Sequence, residues 1–367
     1  MNNKSGKKIL IISAVAVFLL VIAVIIVSGK DIFPDKKHTV GLILTSTKDD
    51  NGWNSMHYEG VFSACEQLGA KLIVKENIAE GTGDCEKAIE ELIDNGAEMI
   101  ILSSYSYPLE AKEIIDRNPS VSFYGISSEY TSNNMTSYFG RMYQARYLSG
   151  IVAGMTTETN EIGYVAAMPN NEVNRGINAF TLGVKSVNPD AKVYVKWTDS
   201  WDDAEKEKEA VNKILSETDA DILTYHQNQH NVAETADSMG ICSIGYNKAI
   251  EGLSEKYLTA AVWNWESLYY QIIREFMLGK ANSVDHHWYG IIDSEVIGLS
   301  EYSPLVSEET KKTVEAAKAK FAYGNYIFSG KIYDNQGNLR CDEDEMISDD
   351  VLLARMDWYV DGVVILE

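Results

Sequence analysis

Aromatic and amide side chains recur at the ends of predicted strands in this 367-residue chain. Trp53 and Asn54 stand in the polar segment 49–54, between the first predicted strand and the first predicted helix. Flat rings beside neutral donors and acceptors suit a planar heterocycle, whereas a sugar or amino acid site more often has a charged anchor. The candidate ligand-binding residues are Trp53, Asn54, Ser104, Tyr105, Tyr225, His226, Gln227, Tyr246, Asn247, Trp263 and Asn264.

Motifs that would indicate catalysis are missing from the sequence. It has no G-x-S-x-G elbow, P-loop, H-E-x-x-H pair or glycine-rich dinucleotide fingerprint after a strand. His226 and His230 are four residues apart and could share a helical face, and His286 is adjacent to His287, but neither pair has a carboxylate at useful ligand spacing. We therefore expect a binding protein with no catalytic residue, no metal site and no cofactor.

The four cysteines are widely spaced and form no C-x-x-C pair. We expect Cys65, Cys85, Cys242 and Cys341 to be separate, half-buried small hydrophobic residues. The alternative is a disulfide between Cys65 and Cys85, which would join the first two predicted helices.

Alternating strand and helix patterns predict an α/β fold with two similar lobes. In the first lobe the predicted strands are 38–44, 71–74, 99–102 and 121–126, and the helices 56–68, 85–95 and 108–117. In the second the strands are 161–166, 191–197, 221–225 and 241–245, and the helices 141–155, 176–187 and 204–218. The remaining predictions are a strand at 259–263, helices at 265–278 and 306–321, and a hairpin at 332–339.

The order of these elements predicts how the lobes are assembled. Residues 38–140 with part of 264–300 should form the first lobe, and residues 141–263 with part of 300–367 the second. Ligands of parallel sheets bind beyond the carboxyl ends of the strands, so the site should lie between the lobes. A chain that passes between lobes more than once makes a hinge.

The first thirty-seven residues carry a membrane-targeting pattern. No charged residue occurs from Ile9 to Gly29, and Lys4, Lys7 and Lys8 precede this run. We predict a cytoplasmic tip (1–8), a single transmembrane signal anchor (9–29) and a linker (30–37), with the globular part outside the cell membrane. A cleaved signal peptide is the alternative; it is disfavoured because the apolar run is long and no clear cleavage site follows it.

The formal net charge of −22 excludes an electrostatic surface for nucleic acid. Any ligand related to nucleotides is therefore expected to be small and uncharged.

From about residue 38 to its end, the chain resembles the basic membrane protein family of ABC-importer substrate-binding proteins, and in particular its Med-like branch. The resemblance implies a type I periplasmic-binding fold, a purine nucleobase or nucleoside as ligand, an ABC permease and ATPase as partners, and a monomer. The similar stretches are DNGWN at 50–54 with 57–60, YFGRMYQARYLSGIVAG at 138–154, 162–166, EVNRGINAF at 172–180, 187–190, VWNW at 262–265 and MDWYVDGV at 356–363.

The resemblance also implies roles for individual residues. Trp53 would stack on the base and Asn54 would help to hold it, while Tyr225 or His226 would close the opposite face. The family's nucleoside binders carry charged residues where this chain has Thr45-Ser46, Tyr246-Asn247 and Trp263-Asn264. A nucleobase such as adenine is therefore as plausible a ligand as a nucleoside.

Three other functions compete with transport. A membrane-anchored sensory ectodomain would use the same fold and ligand class, and the retained anchor favours it slightly. A repressor of the related two-lobed type would need a helix-turn-helix before the first strand, where the apolar run stands instead. An enzyme acting on nucleosides lacks a catalytic signature.

Overall fold

Two parallel β-sheets organise the part of the chain that the structure describes. The computed structural model describes residues 37–50, 52–292, 294–324 and 326–367. The predicted tip and anchor, and all of the linker except its last residue, lie outside these residues. None of the described helices combines the length and the hydropathy needed to cross a bilayer. Thr39–Glu367 form one compact unit, and both sheets belong to it.

The first sheet has six strands in the order β11-β5-β4-β3-β1-β2, all parallel. Its central strands are apolar throughout because helices cover both faces; β3, with the sequence MIIL, is fully buried. The strands are β1 Thr39–Ile43, β2 Lys71–Lys75, β3 Met99–Leu102, β4 Ser122–Ile126, β5 Met135–Gly140 and β11 His286–Tyr289. The helices between and beside them are α1 Trp53–Leu68, α2 Asp84–Asp94, α3 Tyr107–Glu110, α4 Lys112–Arg117 and α9 Trp265–Met277.

The second sheet has seven strands in the order β12-β10-β9-β8-β6-β7-β15, and only its pairing of β12 with β10 is antiparallel. The strands are β6 Glu161–Ala166, β7 Lys192–Trp197, β8 Ile222–His226, β9 Cys242–Asn247, β10 Tyr257–Trp263, β12 Ile297–Leu299 and β15 Val363–Ile365. The remaining helices are α5 Met142–Thr156, α6 Asn171–Val187, α7 Ala204–Glu217, α8 Asn231–Met239, α10 Glu308–Lys320 and α11 Asp349–Ala354.

The described chain passes between the two sheets at three places. The first passage follows β5 and leads through α5 to β6, the second follows β10 and leads through α9 to β11, and the third joins β11 to β12. Three connections between two lobes are the connectivity found in proteins that close by a hinge around a ligand.

Helices α5 and α6 pack with their backbones in direct contact. A Cβ atom added to Gly150 would lie 2.1 Å from the carbonyl oxygen of Phe180, and one added to Gly183 would lie 2.0 Å from that of Tyr147. Every residue of α5 from Met142 to Gly154 is buried. The glycines therefore allow an approach that larger side chains would prevent.

Several sequence predictions differ from the structure in instructive ways. Strands β5, β11, β12 and β15 and helices α8 and α11 were not predicted. Strands β11 and β15 pair with strands far away in the sequence, and β12 and α11 are short. Helix α6 begins five residues earlier than predicted because the Asn170 side chain caps it, accepting a hydrogen bond from Val173 N at 3.0 Å. The predicted hairpin at 332–339 is confirmed, as β13 Ile332–Tyr333 pairs with β14 Leu339–Cys341.

The structure excludes two alternatives, a shared helical face for His226 and His230 and a disulfide between Cys65 and Cys85. His226 ends a strand and His230 is the residue before α8, so they do not share a helical face. Cys65 and Cys85 are free, which confirms the expectation of separate cysteines, and they are fully buried instead of half-buried. Burial raises the pKa of the Cys65 thiol to about 12, which makes it a packing residue.

We predict that Gly150→Ala destabilises the fold, because the new methyl group must displace the backbone of α6. Overpacking of this kind costs roughly 1–3 kcal/mol of unfolding free energy. Urea unfolding followed by circular dichroism measures the change. Gly298→Ala is the matched control, since no atom lies within 4 Å of its added Cβ, and it should shift stability by less than about 0.5 kcal/mol. Equal stability of the two variants would contradict the prediction.

Candidate functional site

A cavity of about 780 Å³ lies between the two sheets. Loops after the strands of the first sheet form one wall, and loops after β6 and β7 form the opposite wall. Asp350, Leu353 and Arg355, which lie near the C-terminus, supply the third part of the lining. The lining residues are Trp53, Ser103, Ser104, Tyr105, Ile126, Ser127, Ser128, Glu129, Phe139, Asn170, Asn171, Glu172, Arg175, Trp201, His286, Trp288, Asp350, Leu353 and Arg355.

Trp53, the first residue of α1, is held in place by its own indole group. Its Nε1 donates a hydrogen bond to the carbonyl oxygen of Ser103 at 2.9 Å, which ties the start of α1 to the end of β3. The ring packs edge to face with His57, at 4.2 Å between centroids, and with Trp265 at 5.5 Å. A half-buried indole fixed at two sides can stack on a ligand without much loss of side-chain entropy.

The loop before Trp53 is ordered by a carboxylate and an amide. Asp50 accepts hydrogen bonds from Gly52 N and Ser55 N at 2.9 Å and from Asn54 Nδ2 at 2.8 Å, so it caps α1. Burial alone would raise the pKa of Asp50, but these bonds lower it. Asn54 Oδ1 accepts from Thr45 N at 2.9 Å and Thr45 Oγ1 at 3.1 Å. The amide of Asn54 is therefore occupied by protein groups.

A buried chain of hydrogen bonds lies behind Trp53. Nδ1 of His57 lies 2.5 Å from the hydroxyl of Tyr269, which lies 2.8 Å from the hydroxyl of Tyr138. Burial lowers the pKa of His57 to about 3, and nearby Asp50 opposes this only in part. His57 is therefore neutral at physiological pH. The chain links the start of α1 to β5 and α9, which adjoin two of the passages between the sheets.

The opposite wall is polar and carries an aromatic ring. Glu172 and Arg175 lie one turn apart on α6; burial raises the pKa of Glu172, and Arg175 opposes the rise. Trp201 lines the cavity from the loop after β7, and its carbonyl oxygen accepts a hydrogen bond from Asn228 N at 2.8 Å. This lobe therefore also offers a flat face to a ligand.

The floor of the second lobe contains a buried cation. The guanidinium of Arg146 is fully buried and lies 4.9 Å from the ring of Tyr164 and 5.5 Å from that of Tyr246. His226 packs on Tyr246 with 4.1 Å between ring centroids. Burial, together with the positive charges of Arg146 and Arg175, lowers the pKa of His226 well below its usual value. His226 is therefore uncharged.

The sequence-predicted site residues fall into three groups in the structure. Trp53, Ser104 and Tyr105 line the cavity between the sheets. Asn247, Trp263 and Asn264 line a smaller cavity of about 190 Å³, in which Trp263 stacks on Trp265 at 4.5 Å. The remaining five, Asn54, Tyr225, His226, Gln227 and Tyr246, are buried and line neither cavity.

Sequence reasoning missed most of the lining. Four lining residues follow the ends of strands: Ser127, Ser128 and Glu129 come after β4, and Trp201 comes after β7. The strand-end rule, which says that ligands bind beyond the carboxyl ends of parallel strands, would have found them if it were applied to every strand. No local pattern marks Asp350, Leu353 and Arg355. Among the described residues, no three histidine, cysteine or acidic side chains come together as a metal site.

The buried histidine gives the protein a predictable pH dependence. Folded His57 stays neutral down to a pKa of about 3, whereas the unfolded residue takes up a proton below pH 6.5, so stability falls as pH drops through that range. Between pH 7.5 and pH 5.0, one such group lowers the free energy of unfolding by about 2 kcal/mol. Urea unfolding at both pH values measures this loss of unfolding free energy. The loss should be smaller by about that amount in His57→Gln than in the unchanged protein, and an identical loss in both proteins would contradict the prediction.

Comparisons with known proteins agree on one family. A family model described as ABC transporter substrate-binding protein PnrA-like, of the Bmp family, matches residues 37–336. A purine-binding protein of Brucella abortus is 31% identical over 360 residues, which cover 96% of this chain and 98% of that protein. A putative ABC transporter glucose-binding protein of Haloferax volcanii is 29% identical, over 90% of this chain and 82% of its own length.

A solved structure extends the comparison to the fold. The crystal structure of a transcriptional activator of the comK gene from Bacillus halodurans matches with a TM-score of 0.71 and 25% identity, over 78% of this chain and 98% of that one. The family match makes this an extracytoplasmic substrate-binding protein and not an enzyme. With its two parallel-sheet lobes and the match over residues 37–336, the chain belongs to the Bmp family of PnrA-like ABC transporter substrate-binding proteins.

Proposed function

We propose that this protein captures a purine nucleobase or nucleoside in the cavity between its lobes and delivers it to an ABC permease and its ATPase. The observation that carries the proposal is Trp53, an indole anchored to Ser103 and His57 that lines the cavity. A flat aromatic surface at the end of a parallel sheet suits a planar base. The purine-binding relative, similar over almost its whole length, supports the same ligand class.

The second stacking surface is Trp201. Tyr225 is fully buried within β8 and His226 is 2% exposed, so neither is available to a ligand without rearrangement. Trp201 is half-buried and lines the cavity from the lobe opposite Trp53. In a closed protein, a base would lie between one indole from each lobe, and the lobe positions would be coupled to ligand binding.

The membrane arrangement is part of the proposal. A single anchor at 9–29 would hold the binding lobes at the outer surface, next to the permease. The alternative is a sensory ectodomain for the same ligands. Uptake separates the two functions, because deleting an importer's binding protein abolishes uptake of labelled purine, whereas deleting a sensor changes gene expression without removing transport.

We predict that Trp53→Ala weakens purine binding by about tenfold to a hundredfold, because stacking of a base on an aromatic ring is worth roughly 1–3 kcal/mol. Titration calorimetry on the full-length protein should compare adenine, adenosine, guanosine and inosine with ribose and glucose. Tyr323→Ala is the control, since Tyr323 is 91% exposed and does not line the cavity. Tight glucose binding without purine binding would refute the ligand class. Purine binding unaffected by Trp53→Ala would refute the site.

Ligand binding should also close the lobes. A ligand shifts the population toward the closed form only if it binds that form more tightly than the open form. A ligand that contacts both walls has this preference, so saturation favours the closed form. Small-angle X-ray scattering should show a smaller radius of gyration with saturating adenosine. The same titration with Trp201→Ala should give less compaction at equal occupancy, because the second lobe loses its aromatic contact. An unchanged radius at confirmed saturation would argue against closure.

A further inference from the structure

The C-terminal segment, defined here as Ser348–Trp358, is clamped to helix α6 by buried polar groups. Nη1 of Arg175 donates to the carbonyl oxygen of Leu352 at 2.7 Å, and Nδ2 of Asn174 donates to that of Met356 at 2.8 Å. Nδ2 of Asn178 donates to the carbonyl oxygen of Trp358 at 2.8 Å. Paired polar groups in the interior hold a segment in one position, since releasing it would leave them unsatisfied.

An ion pair fixes the other end of the segment. Nη1 and Nη2 of Arg141 donate to the two carboxylate oxygens of Asp349 at 2.6 and 2.7 Å. Arg141 stands between β5 and α5, at the first passage between the sheets. The segment is therefore attached both to the second lobe and to a connection on which hinge motion depends.

Between these attachments the segment presents three side chains to the cavity, namely Asp350, Leu353 and Arg355. Asp350 and Arg355 are exposed. Two other lining carboxylates already have neighbours: Glu129 hydrogen-bonds with Tyr105, and Glu172 lies beside Arg175. Among the cavity residues that the structure describes, Asp350 is thus the carboxylate best placed to serve a ligand.

We propose that Asp350 binds the ribose of a nucleoside whose base lies between Trp53 and Trp201. This inference rests on the proposed function and adds the site of sugar recognition. A carboxylate accepts two hydrogen bonds from adjacent hydroxyl groups, which is how acidic residues hold ribose in dinucleotide sites. Arg355 lines the same cavity and adds a hydrogen-bond donor. The C-terminal segment thereby extends the site from the base to the sugar. With this contact the protein distinguishes a nucleoside from its free base.

The experiment measures binding of adenine, adenosine and 2′,3′-dideoxyadenosine to the full-length protein by titration calorimetry. Asp350→Ala should weaken adenosine binding by about tenfold or more, as expected for hydrogen bonds to a charged group. Binding of adenine and of dideoxyadenosine should change less than about twofold, because neither offers the hydroxyl pair. Asp357→Ala is the control, since this exposed carboxylate belongs to the same segment but does not line the cavity.

The outcomes separate the two proposals. If the unchanged protein binds no purine, the proposed function fails and this inference fails with it. If Trp53→Ala weakens adenine and adenosine alike while Asp350→Ala affects neither, the base site stands and the sugar site is overturned. An equal loss of all three ligands in Asp350→Ala would also overturn it, because that pattern indicates a structural role.

Discussion

The close contact between helices α5 and α6 is the constraint on which the second lobe and the cavity depend. Gly150 and Gly183 permit backbones to touch where a single methyl group would collide with a carbonyl oxygen. Helix α6 then carries Glu172 and Arg175 to the cavity and holds the C-terminal segment through Asn174 and its neighbours. The contact between these two helices therefore helps to determine where two walls of the cavity lie.

The sequence predicts the architecture well and the site incompletely, for physical reasons. Buried parallel strands such as β3 are continuous apolar runs, so local patterns identify them. The strand-end rule finds Trp53 and Tyr105, but it fails at Tyr225 because β8 extends one residue further and keeps that side chain inside the sheet. The bonds of Asn178 to the segment around Trp358 join residues about 180 positions apart, which no local pattern encodes.

Burial keeps two histidines of the described chain uncharged. His57 and His226 are uncharged because removing an imidazolium from water is unfavourable, and Arg146 adds repulsion at His226. The buried cation beside His226 is Arg146, whose guanidinium packs against the rings of Tyr164 and Tyr246. The role proposed for Asp350 is different, because this carboxylate is exposed and can accept hydrogen bonds from a neutral ligand.

The three-residue strand β15 has a consequence for solubility. It pairs with β7 and occupies the outer edge of the second sheet. Without it, the edge of β7 from Val193 to Val195 would present unpaired amide and carbonyl groups to solvent, a template on which a strand from another molecule can add. Loss of β15 would therefore favour aggregation of the protein through the addition of strands from other molecules.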